Sequence, residues 1–177
     1  MKRPVLFPIV ILVCSLAFTL AAALAATPAL AGPEAASPAA AAFERLKGLA
    51  GNWQGKDPQG NTFDLTYRVA SGGSALVEEM GHGNMITVYH LDGDRLMLTH
   101  YCEAKNQPRM RTDPIKSGDF KTLDFKFLDV TNLAKPTDSH MRNLTVTFQD
   151  ADHFSQRWTH SEGGKESPVT MTYERKK

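Results

Sequence analysis

The densest gathering of chemically able side chains lies between Thr99 and Arg111. His100, Tyr101, Cys102, Asn106, Gln107, Arg109 and Arg111 supply imidazole, phenol, thiol, amides and two guanidiniums. A strand core ordinarily carries Val and Ile instead. Just upstream, Asp92-Gly93 separates two alternating runs and is a two-residue hairpin signal. Taken as the loop, it opposes Met85 to His100, Thr87 to Leu98 and Tyr89 to Leu96. Alternation then puts Met85, Thr87, Tyr89, Leu98, His100 and Cys102 on one mostly apolar face. Arg109 and Arg111 share a face at i, i+2, and a guanidinium fits a carboxylate or phosphate. A mostly apolar cavity with a few converging polar groups is the usual form of a small-molecule site. Tyr89, His100, Cys102, Arg109 and Arg111 are therefore candidate ligand-binding residues. The plainer reading makes His100 a satisfied interior group and both arginines solvated.

A second cluster lies late in the chain. Phe154, Gln156, Trp158 and His160 alternate on one face of a strand, and Gln156 and Trp158 suit a pocket wall. Glu78-Glu79 must send one carboxylate inward and one outward. A buried ion pair is favoured for the inward one over a general base. The six histidines, at 82, 90, 100, 140, 153 and 160, form no H-x-H or H-E-x-x-H array. No metal site is expected from that spacing. Neither a nucleophile elbow nor a glycine-rich phosphate loop is present.

The elements that position these groups follow from the rest of the sequence. The 177 residues carry 20 basic and 19 acidic side chains. This balance offers no broad field for nucleic acid or an anionic membrane. Lys2-Arg3, an apolar run from Val5 to Ala26 and Ala29-Leu30-Ala31 form an n-region, an h-region and an A-x-A site. Residues 1–31 are thus expected to be a secretory signal peptide, with an uncleaved anchor as the alternative. Cleavage would place the mature chain outside the cytoplasm, periplasmic or secreted, with no remaining membrane segment. Cys102 would then be its single cysteine. A buried, inert thiol is favoured over a reactive one or a bridge between chains. Residues 32–42, rich in Ala and Pro, read as a linker, which leaves a domain over 43–177.

Phe43, Leu46 and Leu49 fall at helical spacing, and Gly48 and Gly51 limit that helix to about two turns. Ten alternating runs follow, near 51–56, 62–69, 74–81, 84–91, 94–102, 108–114, 120–129, 140–149, 152–160 and 167–175. Only residues 130–139 need a longer connection. Short connections exclude parallel crossovers, so the expected fold is all-β and antiparallel. Hiding ten strands' edges calls for an up-and-down barrel with a short N-terminal helix, or for a two-sheet sandwich.

Gly51-Asn52-Trp53-Gln54-Gly55 stands where the helix gives way to the first strand. It resembles the G-x-W signature that opens lipocalin and fatty-acid-binding barrels, the calycin group. With the preceding Leu49-Ala50 it also resembles nitrobindin-like barrels, with their G-x-W-x-G start, and bacterial lipocalin-like proteins of unknown function. The resemblance implies a Trp that plugs the closed end beneath the helix, under an Arg from the last strand. Gly51, Trp53 and Arg175 are the matching structural residues. It further implies binding of a small apolar or amphipathic molecule, with no cofactor required. Three alternatives accompany that expectation. One is a lipocalin-like enzyme using His100 with Arg109 or Arg111. Another is a haem barrel of nitrobindin type, with His153 or His160 as the ligand. The third is a structural barrel filled by its own side chains.

Overall fold

A computed structural model describes residues 36–81 and 84–177. The signal segment, residues 32–35 of the expected linker, and His82-Gly83 lie outside the described residues. Helix α1 (Pro38–Lys47) is followed by β1 (Gly51–Lys56), β2 (Thr62–Ala70), β3 (Ala75–Met80), β4 (Met85–Asp92) and β5 (Arg95–Tyr101). Then come β6 (Gln107–Arg111), β7 (Thr122–Thr131), β8 (His140–Phe148), β9 (His153–Glu162) and β10 (Lys165–Arg175). Each strand pairs antiparallel with its sequence neighbours, and β10 pairs back onto β1 to close a ten-stranded up-and-down barrel. Closure leaves no open sheet edge, which decides between barrel and sandwich.

The helix begins five residues earlier than Phe43. Ser37 accepts a hydrogen bond from Ala40 N at 3.2 Å, and proline occupies the first turn. The alanines that lack a side chain to bury are strong helix formers, and Ala39 and Ala42 are themselves buried. The last part of the expected linker is therefore part of the domain.

Helix α1 lies at the end of the barrel where β1 begins and β10 finishes. Trp53 is 1 % exposed there and donates its indole N–H to Leu49 O at 2.7 Å. Phe154 packs edge-on at 4.7 Å between centroids. The guanidinium carbon of Arg175, the residue opposite Trp53 across the closing seam, sits 4.1 Å from the indole centroid. Arg175 also donates to Gly48 O and Ala50 O, each at 3.0 Å, and to Ala151 O at 3.1 Å. One cation thereby joins the carbonyls that follow α1, the β8–β9 turn and the tryptophan face. Gly51, at φ 130°, leaves that guanidinium its space: a Cβ there would stand 3.0 Å from Arg175 Nη1. Gly55 does the same for Phe63, whose ring atoms a Cβ would meet at 2.5 Å. The two glycines of the motif are clearances for neighbouring side chains.

The β4–β5 loop is Gly93-Asp94, not Asp92-Gly93. Gly93 takes the left-handed conformation, φ 62°, which frees Asp92 to pair with Arg95. All expected pairs shift by two residues, so Thr87 opposes His100 and Tyr89 opposes Leu98. A shift of two preserves the faces. Thr87, Tyr89, Leu96, Leu98 and His100 are all buried in the barrel interior.

Candidate functional site

Registration alone lines up a polar row across four strands. Tyr67 in β2 opposes Glu78 in β3, Glu78 opposes Thr87 in β4, and Thr87 opposes His100 in β5. Each of these strands alternates, and the flanking inward residues, such as Leu76 and Met80 beside Glu78, are apolar. The row is therefore enclosed by hydrophobic core.

Glu78 is its centre and is 1 % exposed. Its Oε2 accepts from the Tyr67 hydroxyl at 2.5 Å, the Tyr89 hydroxyl at 2.7 Å and Gln156 Nε2 at 2.7 Å. Its Oε1 accepts from Thr87 Oγ1 at 3.5 Å. Burial raises the Glu78 carboxyl above its ordinary range, and these four hydrogen bonds pull the other way. No cation among the described residues takes part, so the expected buried ion pair is not formed among them. Glu79 makes the exposed pair instead, with Arg68 at 3.2 Å. Gln156 Oε1 in turn accepts from Trp158 Nε1 at 3.1 Å and the Tyr173 hydroxyl at 2.8 Å. Burial, reinforced by the Glu78 charge, raises Tyr67, Tyr89 and Tyr173 well above a free phenol.

The network stops at His100. Its Nδ1 lies 2.9 Å from Thr87 Oγ1. Thr87 Oγ1 also lies 3.5 Å from Glu78 Oε1; with the hydroxyl proton assigned to that carboxylate, Nδ1–H donates to Thr87 and Nε2 is the acceptor. Nε2 is buried and has no hydrogen-bond partner. The ring lies 5.0 Å from that of Trp158, and burial holds the imidazole pKa down to about 4. His100 is thus a neutral base at neutral pH, held at one nitrogen and unmet at the other. Met85, Met141, Val169 and Met171 are half-buried and pack on the core, toward the end opposite α1.

The structure therefore brings together four of the expected site residues, Tyr89, His100, Gln156 and Trp158. Cys102 is half-buried just beyond the end of β5 and is a free thiol. Arg109 and Arg111 do not join them. Inward Met110 separates the two, and both face outward, Arg109 bonded to Asp129 and Arg111 to Asp92 at 3.1 Å. The bulge between Arg109 and Met110 re-registers β6 on β7 but does not turn the arginines inward. The arrangement with His100 that an enzyme of the expected type would use is absent. His153 is exposed and bonded to Asp150 at 2.9 Å, and His160 bonds Ser139 Oγ at 2.7 Å.

Sequence reasoning did not assign Tyr67, Thr87, Asn106 or Tyr173 to the site, and it gave Glu78 the wrong partner. Alternation was the available signal: Tyr67, Glu78 and Thr87 have apolar or aromatic neighbours at i±2 and so point inward. Which inward groups meet depends on contacts across the barrel, such as Gln156 to Glu78, 78 residues apart. Comparison with protein-family models and with curated proteins finds no match for the chain.

Proposed function

We propose that this protein is an exported, calycin-like barrel that binds a small amphipathic molecule at the end opposite α1. The observation that carries the reading is the unmet Nε2 of His100, at the end of the barrel where Met85 and Met141 are only half-buried. A buried acceptor left without a partner costs about 1–3 kcal/mol, which a ligand donor would recover. Methionine side chains repack at little cost and so admit an apolar body. The G-x-W-x-G motif, with Arg175 over Trp53, supports the calycin likeness. The Lys2-Arg3 start and the Ala29-Leu30-Ala31 site support export and cleavage.

Native mass spectrometry of the protein purified from the compartment outside the cytoplasm tests both parts. The expected chain begins at or near Gly32 and carries an added mass that denaturation releases. An intact Met1 on membrane-bound material would make the segment an anchor. A bare chain that also takes up no added amphiphile would leave the barrel a structural one.

A further inference from the structure

His100 Nε2 has a counterpart. Asn106 is 2 % exposed, and its Oδ1 is likewise buried without a hydrogen-bond partner. The orientation of this amide is fixed by chemistry. Its other end lies 2.7 Å from Ser139 O, and only the NH2 group can donate to a carbonyl. Both unmet atoms are therefore acceptors.

They also belong to one surface. Leu98 opposes Met110 across β5 and β6, and Cys102 N donates to Asn106 O at 3.1 Å, which continues the ladder beyond the strand ends. In that register His100 and Asn106 are diagonal neighbours on the inward face, about 7–8 Å apart at the backbone. Pro108, buried like Asn106 and Met110, lies between them on the same face of the chain. Two acceptors at that backbone spacing are within reach of one small head group. The β7–β8 loop holds the Asn106 side of it. Besides Ser139, Asn132 donates to Lys105 O, and Gly163 N donates to Thr137 O at 2.9 Å.

The charge around this surface is equally specific. No Lys or Arg among the described residues is buried. The arginines of the neighbouring wall point outward and are engaged: Arg109 by Asp129, Arg111 by Asp92, and Arg142 by Glu166 at 3.1 Å. An anionic head would meet two lone pairs and no cation. A head that is only an acceptor would leave both lone pairs unmet.

We infer that the ligand is recognised by an uncharged hydrogen-bond donor, an alcohol or primary amide on an apolar chain, received between His100 Nε2 and Asn106 Oδ1. This rests on the proposal that the barrel binds a small amphiphile. It gives that amphiphile a head-group class and turns away the carboxylate of the same chain length. Sites built to bond a donor reject analogues that lack it, because buried groups are then left unpaired.

The test displaces a neutral fluorescent amphiphile, N-phenyl-naphthylamine, from the mature protein with four ligands of equal chain length. These are decanol, decanamide, decanone and decanoate, at neutral pH. Decanol and decanamide are expected to compete at concentrations at least about tenfold below decanone, with decanoate weakest. In His100→Leu the gap between decanol and decanone should shrink. Decanone or decanoate competing as well as decanol in the wild type would overturn the donor assignment while leaving small-molecule binding in place. An unchanged decanol preference in both His100→Leu and Asn106→Ser would also overturn it. Failure of the naphthylamine itself to bind saturably would overturn the binding proposal and this inference together.

Discussion

Trp53→Ala is expected to lower folding stability by about 3–5 kcal/mol, measured as the shift in a urea unfolding transition. The side chain is almost wholly buried and fills the space between Phe154, the residues after α1 and the closing seam of the barrel. Its removal leaves a cavity beneath the residues that follow α1, at the seam of β1 with β10. It also strips the aromatic face from beneath the Arg175 guanidinium and leaves Leu49 O without its indole donor. Trp53→Phe should recover part of the loss, because it restores ring volume but not the hydrogen bond. A loss below about 1 kcal/mol for the alanine variant would mean that α1 and the seam do not depend on this residue.

Acidification should cost the folded protein about as much through one side chain. His100 takes up a proton near 6.5 in the unfolded chain but only near 4 in the folded one, because burial disfavours the cation. The stability that accompanies its neutral form is complete above pH 6.5 and is lost as pH falls toward 4. At about 1.36 kcal/mol per pH unit the loss by pH 4 is about 3 kcal/mol. Glu78 acts in the opposite sense. Its raised carboxyl holds a proton more readily in the folded state, so stability is regained as pH falls through its folded value. The two partly offset in the wild type. The difference between wild type and His100→Leu isolates the histidine: their urea midpoints should diverge between neutral pH and pH 4, with the wild type losing more. Parallel profiles would show that His100 ionises without cost, and so is not buried as a neutral base.

The barrel was legible in the sequence because its signals are local. Alternation marked ten strands, and the short stretches between them marked antiparallel connections. The Gly51 to Gly55 motif placed Trp53, and the last strand supplied Arg175. Faces were legible too, since inward residues recur every second position whether a hairpin register slips by two or not. Tyr89 and His100 were placed on one face on that basis, and Gln156 and Trp158 on another; all four are buried.

What failed to be legible depends on distant geometry. Arg109 and Arg111 looked like ligand clamps, but alternation alone cannot say which parity of a short strand faces in. Buried Met110 decides it, and Asp129 and Asp92 then complete outward ion pairs. Glu78 looked like one half of a salt bridge. Register with the flanking strands brings Tyr67 and Tyr89 to this carboxylate, and the closed barrel adds Gln156 from β9, which removes the need for a cation. The early start of α1 was hidden because an alanine run reads equally as linker or helix until Ser37 caps it.

Binding of a small molecule at the His100 end of the barrel is the step on which the proposed function turns. It is tested most directly by titrating N-phenyl-naphthylamine into wild type and His100→Leu, with thermal melts of both proteins in parallel. With Trp53 replaced by Phe in both proteins, energy transfer comes from Trp158 alone, whose ring lies 5.0 Å from that of His100, and reports occupancy of that end. The account predicts one saturable site in the wild type and at least about tenfold weaker binding in the variant. It also predicts that the variant's Tm is unchanged or raised, because a leucine removes a buried unmet acceptor. Absence of saturable transfer in the wild type, or unchanged affinity with a lower Tm in the variant, would contradict it.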